Sequence, residues 1–238
     1  MMDERRAAMP TANKSDLGVR VVSAAIMLAV AGAAIWAGGI VFGAFVVAIA
    51  AIALSEWVAL TAKMGLTLPA RIAATAAGLC YVVAAVLFLI LFRRIGIPHV
   101  LLPLLVTIAT DSGAYFAGRS LGGPKIAPKI SPSKTWSGLV GGMAAAGIAA
   151  AIWTWQFAYD GQWQGLPVLI ALAAGAVLAI FAQAGDFLES GMKRRAGVKD
   201  SGRIIPGHGG ILDRIDGLLP VTIACGLAWL ALAALVAE

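Results

Sequence analysis

Apolar runs of about twenty residues follow one another along nearly the whole chain, at about 17–37, 40–62, 70–92, 97–118, 136–156, 166–186 and 214–236. A helix needs about 20 such residues to cross the hydrocarbon core of a bilayer. Lipid offers no water to an open backbone, so only helices and closed barrels span it. The runs are rich in Ala, Leu, Ile and Gly and lack the two-residue alternation of a membrane barrel. The expected fold is all-α: a polytopic transmembrane helical bundle of about seven spans, with no strands. Only 13% of residues are charged and 61% are hydrophobic, whereas a soluble domain carries roughly 25% charged residues. The first run is too long, and too soon followed by the second, for a cleaved signal peptide. Residues 1–16 read as a polar tail and 17–238 as a single integral membrane domain. Asn13-Lys14-Ser15 fits a glycosylation sequon, but chance in a cytosolic tail explains it as well. Cys80 and Cys225 lie inside apolar runs and read as small core residues.

Orientation follows from the cations, because cytoplasmic loops are enriched in Lys and Arg. With the N-terminus inside, the inner loops hold sixteen of the 18 cations and only Arg93 and Arg94 fall outside. This predicts a cytosolic N-terminus and an outer C-terminus. Trp153, Trp155 and Trp163 then fall near the outer interface, where aromatic belts occur.

Acids inside spans are costly and mark function. Glu56, Asp111, Asp186, Asp213 and Asp216 all fall in the cytosolic half of the bilayer. Asp213 and Asp216 are three apart, which on a helix places both on one face. With Asp186 they could form an oxygen-rich cage for Mg²⁺, which favours carboxylates, water and substrate phosphates. Helix capping by Asp213, with Asp216 favoured by the helix dipole, accounts for the same two residues in a purely structural way. Glu56, in the stretch LSEWVAL, reads either as half of a structural ion pair with Arg20 or Arg71 or as a site residue.

Two basic loops flank these acids, 119–134 and 190–214. The positive-inside rule explains their sign, but not the glycines and prolines of GGPKIAPKISPSKTWSG and PGHGG. Glycine lets backbone approach a phosphate closely, and free N–H groups near helix starts bind anions. Basic loops beside a carboxylate cluster suggest a polyphosphate substrate handled at the inner membrane surface. Nucleic acid fits poorly, because no basic soluble domain is present. His208 lacks a neighbouring His or Cys cluster, which argues against zinc. A P-loop fails at Pro124, where lysine would be needed.

The positions Ser190, Lys193-Arg194, Lys199-Asp200, Gly202, Pro206, His208-Gly209-Gly210, Asp213-Arg214 and Asp216 resemble the signature of the phosphatidate cytidylyltransferases, or CDP-diacylglycerol synthases. A second block is similar to the same family: Asp111, Ala114-Tyr115, Gly118-Arg119 and Ser131-Pro132-Ser133-Lys134-Thr135-Trp136. So is QAGDFLES, Gln183 to Ser190. The resemblance covers about 107–217, the expected catalytic portion. Ser133 stands where the family often has Lys, Ser137 where an acid is common, and the chain is short before Asp111. The resemblance implies transfer of CMP from CTP to phosphatidic acid, giving CDP-diacylglycerol and pyrophosphate, by a homodimer in the cell inner membrane with its site on the cytosolic side. It implies Mg²⁺ at Asp186, Asp213 and Asp216, and a monovalent cation such as K⁺ that shares the site. Asp186, Asp213, Asp216, His208 and Lys199 would be catalytic. Lys193, Arg194, Arg214, Gly209, Gly210, Asp111, Arg119, Ser131, Lys134 and Thr135 would hold nucleotide and phosphate.

Two other classes are weighed. Asp213-Arg214-Ile215-Asp216-Gly217 fits the first part of the CDP-alcohol phosphotransferase motif, but no acid follows before Glu238. A cation-coupled transporter would spread its acids across the bilayer, over paired broken helices, whereas these acids gather on one side.

Overall fold

The computed structural model describes residues 14–157 and 166–236. Helix α1 (Lys14–Ala37) turns directly into α2 (Gly39–Lys63), followed by α3 (Leu68–Ile95) and α4 (Ile97–Leu121). A hairpin of β1 (Lys125–Ala127) and β2 (Ser131–Thr135) leads into α5 (Trp136–Phe157). Then come α6 (Leu166–Arg195), the one-turn α7 (Leu212–Ile215) and α8 (Leu218–Val236). Seven of these helices are long and apolar enough to cross a membrane, so the expected span number stands.

Three details differ from the sequence reading. The basic loop after α4 is not irregular: it closes as an antiparallel two-stranded hairpin, with Lys125 opposite Thr135. The last span begins at Leu218 rather than near 214, because one separate helical turn, α7, precedes it. The tail gives way to helix at Lys14. Trp153 and Trp155 occupy the end of α5 away from the hairpin, and Trp163 lies outside the described residues.

Small residues set the spacing of α4, α5 and α6. A Cβ on Gly113 would lie 2.5 Å from the Gly141 carbonyl oxygen, and one on Gly142 would lie 2.9 Å from that of Thr110. Between α5 and α6, a Cβ on Gly175 would lie 2.5 Å from the Ala146 oxygen. Without a hydrophobic drive between helices in lipid, such close backbone approach is what packs them. A second core joins α2 and α3 through Ala53, Trp57, Leu60, Val82 and Ala85, and it also takes Met192 of α6, Leu212 of α7 and Leu219 of α8. Leu212 is 1% exposed and pins the short α7 to the bundle.

Arg93, one of the two cations outside the inner-loop pattern, has a local role. Its Nε and Nη2 donate to the Ile35 and Trp36 carbonyls, 2.6 and 3.1 Å away. These are among the last carbonyls of α1, which have no partner within the helix.

Candidate active site

Four chain segments meet at the loop end of the bundle: the end of α4, the hairpin, the end of α6, and the stretch from Lys199 through α7. On α6, residues 186, 189 and 193 stand three and four apart, so Asp186, Glu189 and Lys193 share one face. The Lys193 ammonium bridges Glu189 Oε2 at 2.6 Å and Asp213 Oδ1 at 2.5 Å. Asp213 Oδ2 accepts three further hydrogen bonds, each 2.9 Å, from the Ser201 amide, the Ser201 hydroxyl and the Gly210 amide. Burial works to raise the Asp213 pKa. The Lys193 and Glu189 side chains and the two backbone donors outweigh it and hold the carboxyl down at about 2.

Asp216 follows the last residue of α7 and turns toward α6. Burial, then the hydrogen-bonded Asp186 carboxyl, then Glu189 push its pKa up to about 10. One oxygen of Glu189, Oε1, is buried without a hydrogen-bond partner among the described residues. Buried polar atoms are nearly always paired, so this small volume holds more carboxylate than the protein's own donors satisfy. Asp186 is also gripped from the other side, by an ion pair with Lys134 of β2. The Lys134 ammonium sits 5.1 Å above the Phe187 ring, which fixes its approach.

Beside Asp186 opens a cavity of about 390 Å³ between α4, the hairpin and α6. Asp111, Arg119, Lys125, Lys134, Thr135, Gln183 and Asp186 line it, with Tyr115 and Ser133 at its wall. The Asp111–Thr135 block and the QAGDFLES stretch, through Gln183 and Asp186, thus face one space. Thr135 also caps α5: its hydroxyl accepts the Gly138 N–H at 3.1 Å, the usual role of Thr before a helix. Ser131 is buried in β2. Arg194 reaches over the hairpin and donates to the Ile130 carbonyl at 3.2 Å.

The remaining expected residues sit elsewhere. His208 places Nδ1 2.8 Å from the Ser23 hydroxyl of α1, and its carbonyl accepts Arg214 Nε and Nη2 at 3.1 and 2.8 Å. Lys199 is exposed. The PGHG turn is closed by the Ile205 amide donating to the Gly209 carbonyl at 2.9 Å, and Gly207 and Gly209 supply its φ values of 75° and 83°, which favour glycine. Gly202 and Gly210 are pressed against protein: added Cβ atoms would lie 2.2 Å from Glu56 Oε1 and 2.2 Å from Ser201 Oγ. The close approach that these two glycines permit is to a buried carboxyl of α2.

Asp213 and Asp216 do look toward the same helix, since each meets Glu189. Asp213 is not the helix cap: the first N–H groups of α7 are taken by Glu56. Among the described residues, no three His, Cys, Asp or Glu side chains are arranged to enclose a metal ion as they stand. The oxygen-rich donor set of Asp186, Asp216 and the unpaired Glu189 oxygen nonetheless suits a hard cation such as Mg²⁺. Glu189 escapes the sequence reading although it lies inside QAGDFLES. The spacing that could reveal it is three residues after Asp186 and four before Lys193.

A sequence profile of the cytidylyltransferase family matches residues 65–232. The chain belongs to that family. Curated family relatives include a phosphatidate cytidylyltransferase of Brucella suis, 48% identical over 147 residues, which are 60% of this chain and 52% of the relative. The phosphatidate cytidylyltransferase of Staphylococcus haemolyticus is 43% identical over 127 residues, 53% of this chain and 47% of its own. That of Staphylococcus aureus strain COL is 40% identical over 139 residues, 58% of this chain and 52% of its own. The chain spans about half the length of these curated relatives. The family match runs through α3 to α8 and includes every element of the site except α1 and α2.

Proposed function

We propose that this chain is a phosphatidate cytidylyltransferase. It would transfer CMP from CTP to phosphatidic acid and release pyrophosphate. The observation that carries the reading is the meeting of the Asp111–Thr135 block with Gln183 and Asp186 of QAGDFLES around one charged cavity, in a chain of the cytidylyltransferase family.

The chemistry suits the residues. The nucleophile is an oxygen of the lipid phosphate, whose second pKa is near 6, so it is largely deprotonated at neutral pH. A new bond forms from that oxygen to the CTP α-phosphorus while the bond to the β-phosphate oxygen breaks, and the electron pair leaves with pyrophosphate. No strong general base is required. The need is to bring two anions together in line and neutralise their charge. Arg119, Lys125 and Lys134 line the cavity and would bind phosphate oxygens there, while Lys193 and Arg194 would act from the end of α6. Asp186 and Asp216, with Asp213 beside them, would hold Mg²⁺, which supplies charge neutralisation at the transferring phosphoryl group. Lys134 would then exchange Asp186 for a phosphate. Lys199, His208 and Arg214 would act from the loop side, and a monovalent cation such as K⁺ would share the carboxylates. The site would face the cytosol from the cell inner membrane, in a homodimer.

The test uses chain purified in mild detergent with phosphatidic acid, Mg²⁺ and cytosine-labelled CTP. Label should enter the lipid fraction only when Mg²⁺ is present, and ATP, GTP and UTP should compete poorly. A folded protein that binds CTP and labels no lipid would contradict phosphatidic acid as acceptor.

A further inference from the structure

Glu56 stands in the apolar middle of LSEWVAL on α2, and the site described above does not use it. Glu56 is 5% exposed. Oε2 accepts the Leu212 amide at 2.8 Å and the Ser201 hydroxyl at 2.9 Å, and Oε1 accepts the Ile211 amide at 3.1 Å. Ile211 and Leu212 begin α7, where the first N–H groups have no partner in the helix. One carboxyl therefore holds both ends of the loop that runs from Ser201 to α7. Ser201 is the link: its hydroxyl is shared between Glu56 Oε2 and Asp213 Oδ2, 2.9 Å from each. Gly202 and Gly210 lie flush on the same carboxyl, with no room for a side chain.

We propose that Glu56 is a positioning residue for nucleotidyl transfer: it fixes α7 so that Asp213 meets Lys193 and Asp216 meets Asp186. The inference rests on the function proposed above. α7 has a single turn, too short to hold its own direction; it carries Asp213, and Asp216 follows it directly. Its orientation is set by Leu212 in the core and by this carboxyl. A shift of about 1 Å in a catalytic group can lower a rate on the order of 100-fold, so α2 would control turnover without touching substrate.

The experiment compares the full chain with Glu56→Gln, Ser201→Ala and the double variant. Four quantities are read: kcat and KM for CTP, Mn²⁺ affinity by electron paramagnetic resonance without substrates, thermal midpoint, and amide exchange at Ile211 and Leu212. Each single variant should lower kcat by about 10- to 100-fold, with KM for CTP changed far less. Mn²⁺ affinity should fall, and exchange at the two amides should quicken in Glu56→Gln. The double variant should be little worse than the worse single one, because both act through one shared hydrogen bond. A lowered thermal midpoint with wild-type kcat and Mn²⁺ affinity per folded molecule would overturn the proposal and leave Glu56 as a fold anchor. If Glu56→Gln does not fold, Ser201→Ala decides, since it removes one hydroxyl and keeps the carboxyl. If the wild-type chain transfers no CMP, the functional reading fails separately. Unchanged amide exchange in Glu56→Gln would then still refute the anchoring.

Discussion

Asp213 uses both of its oxygens on fixed donors, one on Lys193 and the other on Ser201 and Gly210. Asp216 instead faces Asp186 and Glu189 and is driven toward its neutral form. The two aspartates of one signature therefore do different work, and their replacement should look different. Asp213→Asn breaks a largely buried ion pair, a change that costs about 3–5 kcal/mol when one partner is left behind. It should lower the thermal midpoint in detergent and reduce CMP transfer on the order of 100-fold, while the protein still inserts. Near-normal turnover would remove Asp213 from the reaction. Glu189→Gln takes charge from the Asp186–Asp216 cluster and its unpaired oxygen, so it should weaken Mn²⁺ binding, measurable by titration without CTP. An unchanged Mn²⁺ affinity would exclude Glu189 from the cation site.

Single elements carry the next level of the account. The hairpin positions Lys134 over α6, and Thr135 at its end caps α5. Thr135→Ala should cost about 1 kcal/mol through the lost cap, seen as a lower thermal midpoint, in addition to any effect on CTP binding. In the loop, Gly210→Ala forces a Cβ to within 2.2 Å of Ser201 Oγ and 2.5 Å of Glu56 Oε2. Overpacking of this kind costs about 1–3 kcal/mol, and both stability and transfer should fall together. The spans were legible because lipid constrains every window of about 20 residues. The one-turn α7 was not, since its apolar residues merge with those of the last span and only Asp216-Gly217 separates them. The hairpin was hidden for a related reason: Lys and Pro are poor strand formers, and the strands are only three and five residues long.

At the scale of the whole molecule, the acids share one depth because four segments bring them to one end of the bundle. Most of that convergence could be read from spacing and charge: Asp111 and Asp186 line one cavity, and Asp186 meets Asp216. The place of Glu56 could not be read, because its partners are one hydroxyl and two backbone amides, 145 to 156 residues away. The positive-inside pattern predicts that the hairpin faces the cytosol. With Cys80 and Cys225 changed to alanine, Lys129→Cys should react with an impermeant maleimide only from the cytosolic side of sealed vesicles. Labelling from the opposite side would invert the topology. CTP should also raise the thermal midpoint, which a simple ion carrier would not show.

The most direct measurement follows the phosphorus atoms. Purified chain is given phosphatidic acid, Mg²⁺ and CTP labelled in either the α- or the γ-phosphate. The account predicts that α-label enters the lipid as CDP-diacylglycerol and that γ-label leaves entirely as pyrophosphate. Transfer of γ-label to lipid, or release of α-label as free CMP without lipid labelling, would contradict attack by the lipid phosphate on the α-phosphorus.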